Sequence, residues 1–279
     1  MASILALLSS LLWGTSDFEG GRLSKKHAPI AVLGFSQVVG LIFGIILMLI
    51  SGSWRAQALG DGGYLIPGIF AGFLGYFGLF CLYAGLSTGR MGVVSPISSM
   101  GAVVPLTYAL IKGDTLSTIT SIGVVLALVG VFCASGPELS AGLPIKPLLL
   151  ALGAAIGFGT ALTSMSIGAQ SSALMTMVSM RAATFLVTIS IAVKFRSTGG
   201  FSKKEMPTLI FMGVADFLAN VLLGVACTKG LVSIAMVLGS LFPIATALLA
   251  FKFLHERLHK VQYVGIILAV AGVALISAF

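Results

Sequence analysis

GSLFPIATALLAFKFLHERLHKVQYVGIILAVAGVALIS, Gly239–Ser277, is the stretch that decides the fold. It holds an apolar helix broken by Pro243, a charged elbow from Lys252 to Lys260, and a second apolar helix carrying Gly265 and Gly272. The same plan occurs earlier in the chain. Residues 122–131 read IGVVLALVGV and residues 264–273 read VGIILAVAGV, so Gly123, Leu126, Ala127, Gly130 and Val131 return at Gly265, Leu268, Ala269, Gly272 and Val273, 142 positions on. The elbow returns as well, because Asp114-Thr115-Leu116 falls on Glu256-Arg257-Leu258 at that spacing. Self-similarity of apolar sequence over this distance marks a duplicated membrane unit.

Composition agrees. Of 279 residues, 58% are hydrophobic and 9% charged, whereas a soluble domain carries about 25% charged residues. There is too little polar surface to cover a globule in water, so lipid is the solvent. The net charge of +8 is gathered in short polar gaps between apolar runs, a topology signal rather than the basic face and stacking aromatics of a nucleic-acid binder. Cys81, Cys133 and Cys227 all lie in apolar runs without CxxC spacing and read as small buried hydrophobes. The first run, MASILALLSSLLWG, lacks a basic leader, and the repeat uses it, so it is kept as mature structure.

A spanning helix needs about 20 apolar residues. Ten runs meet this: Ala2–Phe18, Pro29–Ile50, Tyr64–Leu86, Met91–Ile111, Thr118–Ala134, Ile145–Ile167, Ala173–Val193, Met206–Thr228, Leu231–Phe251 and Val261–Phe279. The expected fold is an all-α membrane protein: one transmembrane domain, 1–279, of ten transmembrane helices. Ala6–Ser16 aligns with Ala151–Ala161 at spacing 145, placing Trp13 opposite Phe158, and span 3 aligns with span 8 at spacing 141. The repeats therefore cover 1–136 and 144–279. Five spans per unit is an odd number, so the second unit enters the membrane from the opposite side, giving two inverted five-helix repeats around a central cavity. GxxxG pairs at Gly40/Gly44, Gly68/Gly72 and Gly153/Gly157 read as tight packing within the bundle, with a weak homodimer seam as the other reading beside a monomer. Pro96, Pro105 and Pro243 fall inside spans 4 and 9, where they remove backbone hydrogen bonds and either line a cavity or kink passively.

Polar groups at membrane depth are costly and each needs a reason. Asp216 lies midway along span 8 with Asn220 one turn on, and Arg181 lies inside span 7. Asp216 reads either as a proton- or substrate-binding carboxylate with Asn220 as neighbour, or as the partner of Arg181 in a buried ion pair that fixes packing. Asp17 and Glu19 close span 1 and read as solvated caps near an interface, Asp17 being retained as a substrate-binding candidate. Tyr76 and Tyr83 share a face of span 3, and with Trp13 and Phe158 they form an aromatic set about the pseudo-axis. Ser98, Ser99 and Ser240 flank the proline breaks as hydrogen-bonding candidates.

His255-Glu256-Arg257-Leu258-His259 is a literal HExxH, the pattern of a zinc protease. It sits in the elbow between two spans, the one other histidine is His27, and the matching elbow at Asp114 has no histidines. The acid belongs to the repeat and the histidines do not, so no metal is expected.

The run LLWGTS at Leu11–Ser16, GVVSPISS at Gly92–Ser99, SLFPIATALLAFKFLHERL with elbow acid Glu256, and VGIILAVAGVALI at Val264–Ile276 together resemble the EamA-type transporters of the drug/metabolite transporter superfamily. The resemblance implies ten spans around a cavity lined by spans 1, 3, 4, 6, 8 and 9, with spans 5 and 10 peripheral. It implies a multi-pass protein of the cell (inner) membrane that exports a small molecule, an amino acid or related metabolite, without a cofactor and with proton-gradient coupling in some members; a lipid flippase or scramblase is the other reading, beside the zinc protease of the HExxH pattern. Arg181 and Glu256 then take structural or coupling roles. Departures from the family pattern are Asp114 at the first elbow, Ala102 where the second repeat has Pro243, and Gln37 at the family's basic position in span 2, with Arg181 at the matching place in span 7. Twelve basic residues follow odd-numbered spans and three follow even-numbered ones, which puts both termini outside; the family habit is termini inside.

Overall fold

A computed structural model describes residues 1–87, 94, 97–134, 145–195, 199–253 and 259–278. Among them the regular structure is helical throughout, without a strand. The helices are α1 (Ala2–Ser24), α2 (Pro29–Ser51), α3 (Leu65–Ser87), α4 (Val103–Ile111), α5 (Thr118–Ala134), a run Ile145–Phe195, α8 (Met206–Lys229), α9 (Val232–Gly239), α10 (Phe242–Phe253) and α11 (Lys260–Ala278). The run of 51 residues breaks at Ser172, whose backbone is extended (φ −163°, ψ 113°), into α6 (145–171) and α7 (173–195). Ser172 Oγ accepts the Met175 amide at 3.2 Å, the capping contact that starts a new helix. The polar gap expected between spans 6 and 7 is thus a single residue.

Local chemistry sets the other ends. Ala28 is extended (ψ 125°) ahead of Pro29, which opens α2, and Gly52 closes that helix in the left-handed conformation (φ 67°), donating to the Met48 carbonyl. Pro105 and Pro243 lie at helix breaks, as expected, but just after the interruption rather than at its centre. A 3-10 turn, Met100–Ala102, precedes α4, and α9 ends at Gly239 before α10 begins at Phe242. Both prolines therefore stand in the first turn of a restarted helix, where their missing N–H costs nothing. Pro96 lies outside the described residues. A second correction concerns α1. It does not end near Phe18 but runs to Ser24, so Asp17 and Glu19 are helical. Asp17 is buried rather than a solvated cap, while Glu19 pairs with Arg22 at 2.5 Å.

Pro29–Ser51, Leu65–Ser87, Ile145–Lys194, Met206–Lys229 and Val232–Phe253 are each long and apolar enough to cross a membrane. Their outward surfaces are apolar: Phe70, Phe73, Phe77 and Phe80 form an exposed stripe along α3 at helical spacing. Asp17, Gln37, Arg181, Asp216 and Asn220 are buried instead, as lipid demands. The helices meet through glycine. α3 packs along α6 and α7, where Gly72 abuts the Met180 backbone and Gly78 abuts Gly157. Gly40 faces Arg181, and Gly44 faces the Phe217 ring. All three GxxxG pairs are spent inside the bundle, on internal helix seams.

α5 and α11, the two copies of the quoted glycine motif, lie on each other. Gly123 meets Gly272 and Gly130 meets Gly265, with Ala127 and Ala269 between them. Numbering ascends along one helix as it descends along the other, so the pair is antiparallel.

Candidate functional site

The polar residues of the spans converge at the centre of the bundle. α1 carries Trp13 and Asp17 one turn apart on one face, and α8 carries Asp216 and Asn220 in the same relation. α3 brings Tyr76, α6 brings Phe158 and α7 brings Arg181. The two helix restarts bring Ser98, Ser99 and Ser240. These residues line one cavity of about 70 Å³, room for several waters at about 10–15 Å³ each by that measure. The rest of its wall is apolar: Leu79, Leu162, Met165, Met180 and Phe242.

Five pairs of repeat mates contribute to the lining. At spacing 145, Trp13 faces its mate Phe158 and Asp17 its mate Leu162; at spacing 141, Gly75 pairs with Asp216, Leu79 with Asn220 and Ser99 with Ser240. The positions are symmetric and the chemistry is not. Asp17 and both polar groups of α8 have apolar or glycine counterparts.

Asp216 anchors a buried network. Arg181 Nη2 donates to its Oδ2 at 2.5 Å, and both side chains are less than a tenth exposed. Trp13 Nε1 donates to Oδ1 at 3.1 Å, Asn220 Nδ2 to Oδ1 at 3.4 Å, and Gln37 Nε2 to Oδ2 at 3.4 Å. Arg181 Nη1 donates to Gln37 Oε1, which Thr184 Oγ1 also approaches at 3.5 Å. Gln37 and Arg181 are themselves repeat mates, 144 residues apart. A carboxylate and a guanidinium taken out of water hold their charge only with such partners. Arg181 Nε alone lacks an acceptor and lies against Gly40.

Tyr83 is the predicted site residue that does not reach the cavity lining. Its ring lies over Gly20, where a Cβ would stand 2.5 Å from it, and its hydroxyl interacts with Asp17 and Ser16. Tyr76 lines the cavity and its hydroxyl is 3.2 Å from Thr188 Oγ1. Glu256 and His255 lie outside the described residues. Among the described residues no three His, Cys, Asp or Glu side chains are grouped to hold a metal ion. Gln37 and Thr184 are the members of the network that pattern reading passed over; the visible signal was Gln37 standing at the family's basic position with Arg181 as its mate.

Two contacts outside the cavity tie the halves together. The elbow acid Asp114 accepts the Ser233 amide at 2.9 Å and its hydroxyl at 2.8 Å, capping α9. His27 Nε2 is 3.0 Å from Glu205 Oε1, while Oε2 accepts the Ser202 amide and hydroxyl at 2.8 Å each. The His27 hydrogen bond, and after it those of the Ser202 amide and hydroxyl, pull the Glu205 carboxyl down to about 2.

A 135-residue stretch is 27% identical to an uncharacterized protein of Methanocaldococcus jannaschii, covering 48% of this chain and 96% of that protein. A solved crystal structure matches 99% of this chain and 96% of its own with a TM-score of 0.78 at 17% identity, a likeness of fold alone. The EamA-like transporter family matches over residues 1–136 and 145–278, two segments that together leave out only the centre and the last residue. With apolar helices long enough to cross a bilayer and polar side chains turned to a central cavity, this multi-pass membrane protein belongs to the EamA-like transporter family.

Proposed function

We propose that the chain is a secondary transporter of the cell (inner) membrane that exports a small metabolite, an amino acid or related compound, by alternating access. In this reading ten spans form two inverted five-helix repeats, 1–136 and 144–279, of one transmembrane domain. The observation that carries it is the cavity at the bundle centre, whose lining includes five pairs of repeat mates. A two-fold axis in the membrane plane presents such a site alike to both sides, which is what alternating access needs. The α5–α11 crossing supports the same axis: Gly123 touches Gly272, and their mates Gly265 and Gly130 touch in turn, the reciprocal pattern of a two-fold contact. Neither helix lines the cavity, so this seam serves as the fulcrum while the cavity helices rock. The archaeal relative, nearly all of it matched by 135 residues, is about one repeat long.

Asp216 and Asp17 receive the substrate ammonium or the coupling proton, Asn220 and Trp13 hold Asp216, and Tyr76 and Phe158 pack on the substrate body. Ser99 and Ser240 supply hydrogen bonds at the two helix restarts. The test is counterflow in proteoliposomes loaded with a metabolite mixture and challenged with labelled amino acids, with and without a pH gradient. Accumulation of label that is lost in Asp216→Asn supports the reading, and acceleration by the gradient supports proton coupling. No accumulation of any solute by folded protein refutes it.

A further inference from the structure

Counted formally, the charges around the cavity do not balance. Asp216 and Asp17 both line it, and among the described lining residues Arg181 is the one cation. Arg181 is already engaged: one terminal nitrogen donates to Asp216, the other to Gln37, and Nε lies against Gly40, which is not part of the lining. Asp17, only 6% exposed, has no ion-pair partner among the described residues; the polar groups beside it are the Tyr83 hydroxyl and the second carboxylate, Asp216. With both acids ionised the site holds one negative charge in excess. Its remaining walls are the uncharged polar Ser98, Ser99, Ser240 and Asn220, and the aromatic Trp13, Tyr76, Phe158 and Phe242 with aliphatic side chains between them.

We infer that this cavity selects an organic monocation, an amine on an apolar body of about one aromatic ring and without a carboxylate of its own. The inference rests on the transport reading of the same cavity and, between the amino acid and the related compound of that reading, selects an amine over the amino acid itself. An ammonium supplies the missing positive charge, donates to Asp17, and sits against the negative faces of the aromatic walls. A zwitterion brings its own carboxylate, and the one guanidinium able to meet it is held by two buried partners. Taking that guanidinium away would strand Asp216 without a cation in a water-poor site. A carboxylate without an amine adds a third negative charge and is excluded.

The experiment uses 2-phenylethylamine, phenylalanine and 3-phenylpropionate, three solutes with one phenyl body that carry an ammonium, both charges, or a carboxylate. Binding to the full-length protein in detergent is followed by Trp13 fluorescence after Trp54→Phe, Trp54 being the other of two tryptophans and exposed in the loop after α2. The amine is expected to bind about tenfold more tightly than the zwitterion, with the acid weakest. Asp17→Asn removes the amine's advantage, and Asp17→Glu, which keeps the charge, retains part of it; thermal melts of each variant report folding. Phenylalanine binding as tightly as the amine, or no response to any of the three from folded protein, overturns the inference. Binding is read without transport, so counterflow of a labelled amino acid by protein that prefers phenylalanine refutes the cation selectivity alone. Absence of counterflow for every solute refutes the transport reading instead.

Discussion

Replacing Arg181 by methionine tests whether the buried network is a pair or merely a neighbourhood. Arg181 Nη2 stands 2.5 Å from Asp216 Oδ2 with both side chains less than a tenth exposed. Removing one member of such a pair costs about 3–5 kcal/mol, because the other is left as an uncompensated charge. The surviving donors to Asp216, from Trp13 at 3.1 Å and from Gln37 and Asn220 at a long 3.4 Å each, are all uncharged and do not replace a guanidinium. At roughly 2 °C per kcal/mol for a chain of this size, Arg181→Met lowers the melting temperature by about 6–10 °C. Arg181→Met combined with Asp216→Leu behaves otherwise. With both charges gone an apolar pair of similar volume is about neutral or stabilising, so the double variant regains most of the loss. The coupling read from the cycle is at least about 3 kcal/mol, measured by thermal or denaturant unfolding in one detergent. Additive single effects, each under about 0.5 kcal/mol, would show that the network does not hold the charge of Asp216 and would remove the basis for treating Arg181 as occupied.

Three further outcomes are expected. A Cβ on Gly265 would stand 2.6 Å from the Cys133 carbonyl carbon and 2.7 Å from Ala134 Cα, so Gly265→Ala destabilises by about 1–3 kcal/mol. Gly75→Ala, whose Cβ finds Ala161 Cβ at an ordinary 3.5 Å, leaves the melt unchanged; equal melts for the two variants contradict the seam geometry. Asp114→Ala removes the cap that receives the Ser233 amide and hydroxyl and costs about 0.5–2 kcal/mol, with hydrogen exchange rising first in α9; unchanged exchange there refutes the cap. Glu205, pulled down to about 2 from its usual 4.5, contributes stability fully above pH 4.5 and loses it as pH falls through 2. The stability difference between wild type and Glu205→Gln therefore shrinks as pH drops from 5 to 2, and a difference constant over that range shows that the carboxylate does not hold the loop.

The architecture was readable because membrane helices advertise themselves by composition and because the glycine motif is written twice. The same glycines that revealed the duplication turn out to be the atoms of the α5–α11 contact, so the pattern and its cause coincide. The site was readable where depth in an apolar run makes a polar residue conspicuous, as with Arg181, Asp216 and Asn220. Asp17 was placed in the wrong environment for a physical reason. DFEGGR looks like a helix exit, yet Gly20 is there to admit the Tyr83 ring, and the helix continues past it to Ser24. The prolines misled in the opposite sense: they mark where a helix restarts, which depends on the tight turns before them. Gln37 escaped because an uncharged amide does not stand out until its partners Arg181, Asp216 and Thr184, all from the other half of the chain, are seen.

The reciprocal glycine contact has a genealogical consequence. A surface that receives its own duplicate is complementary to itself, so a chain of half this length carrying it would have the means to pair with a second copy running antiparallel along this helix. Two identical halves, however, must place every side chain at a central site twice. Joining them in one polypeptide lifts that constraint and lets each wall of the cavity specialise. Leu162 where the first half has Asp17, and Gly75 where the second has Asp216, are the record of that division of labour.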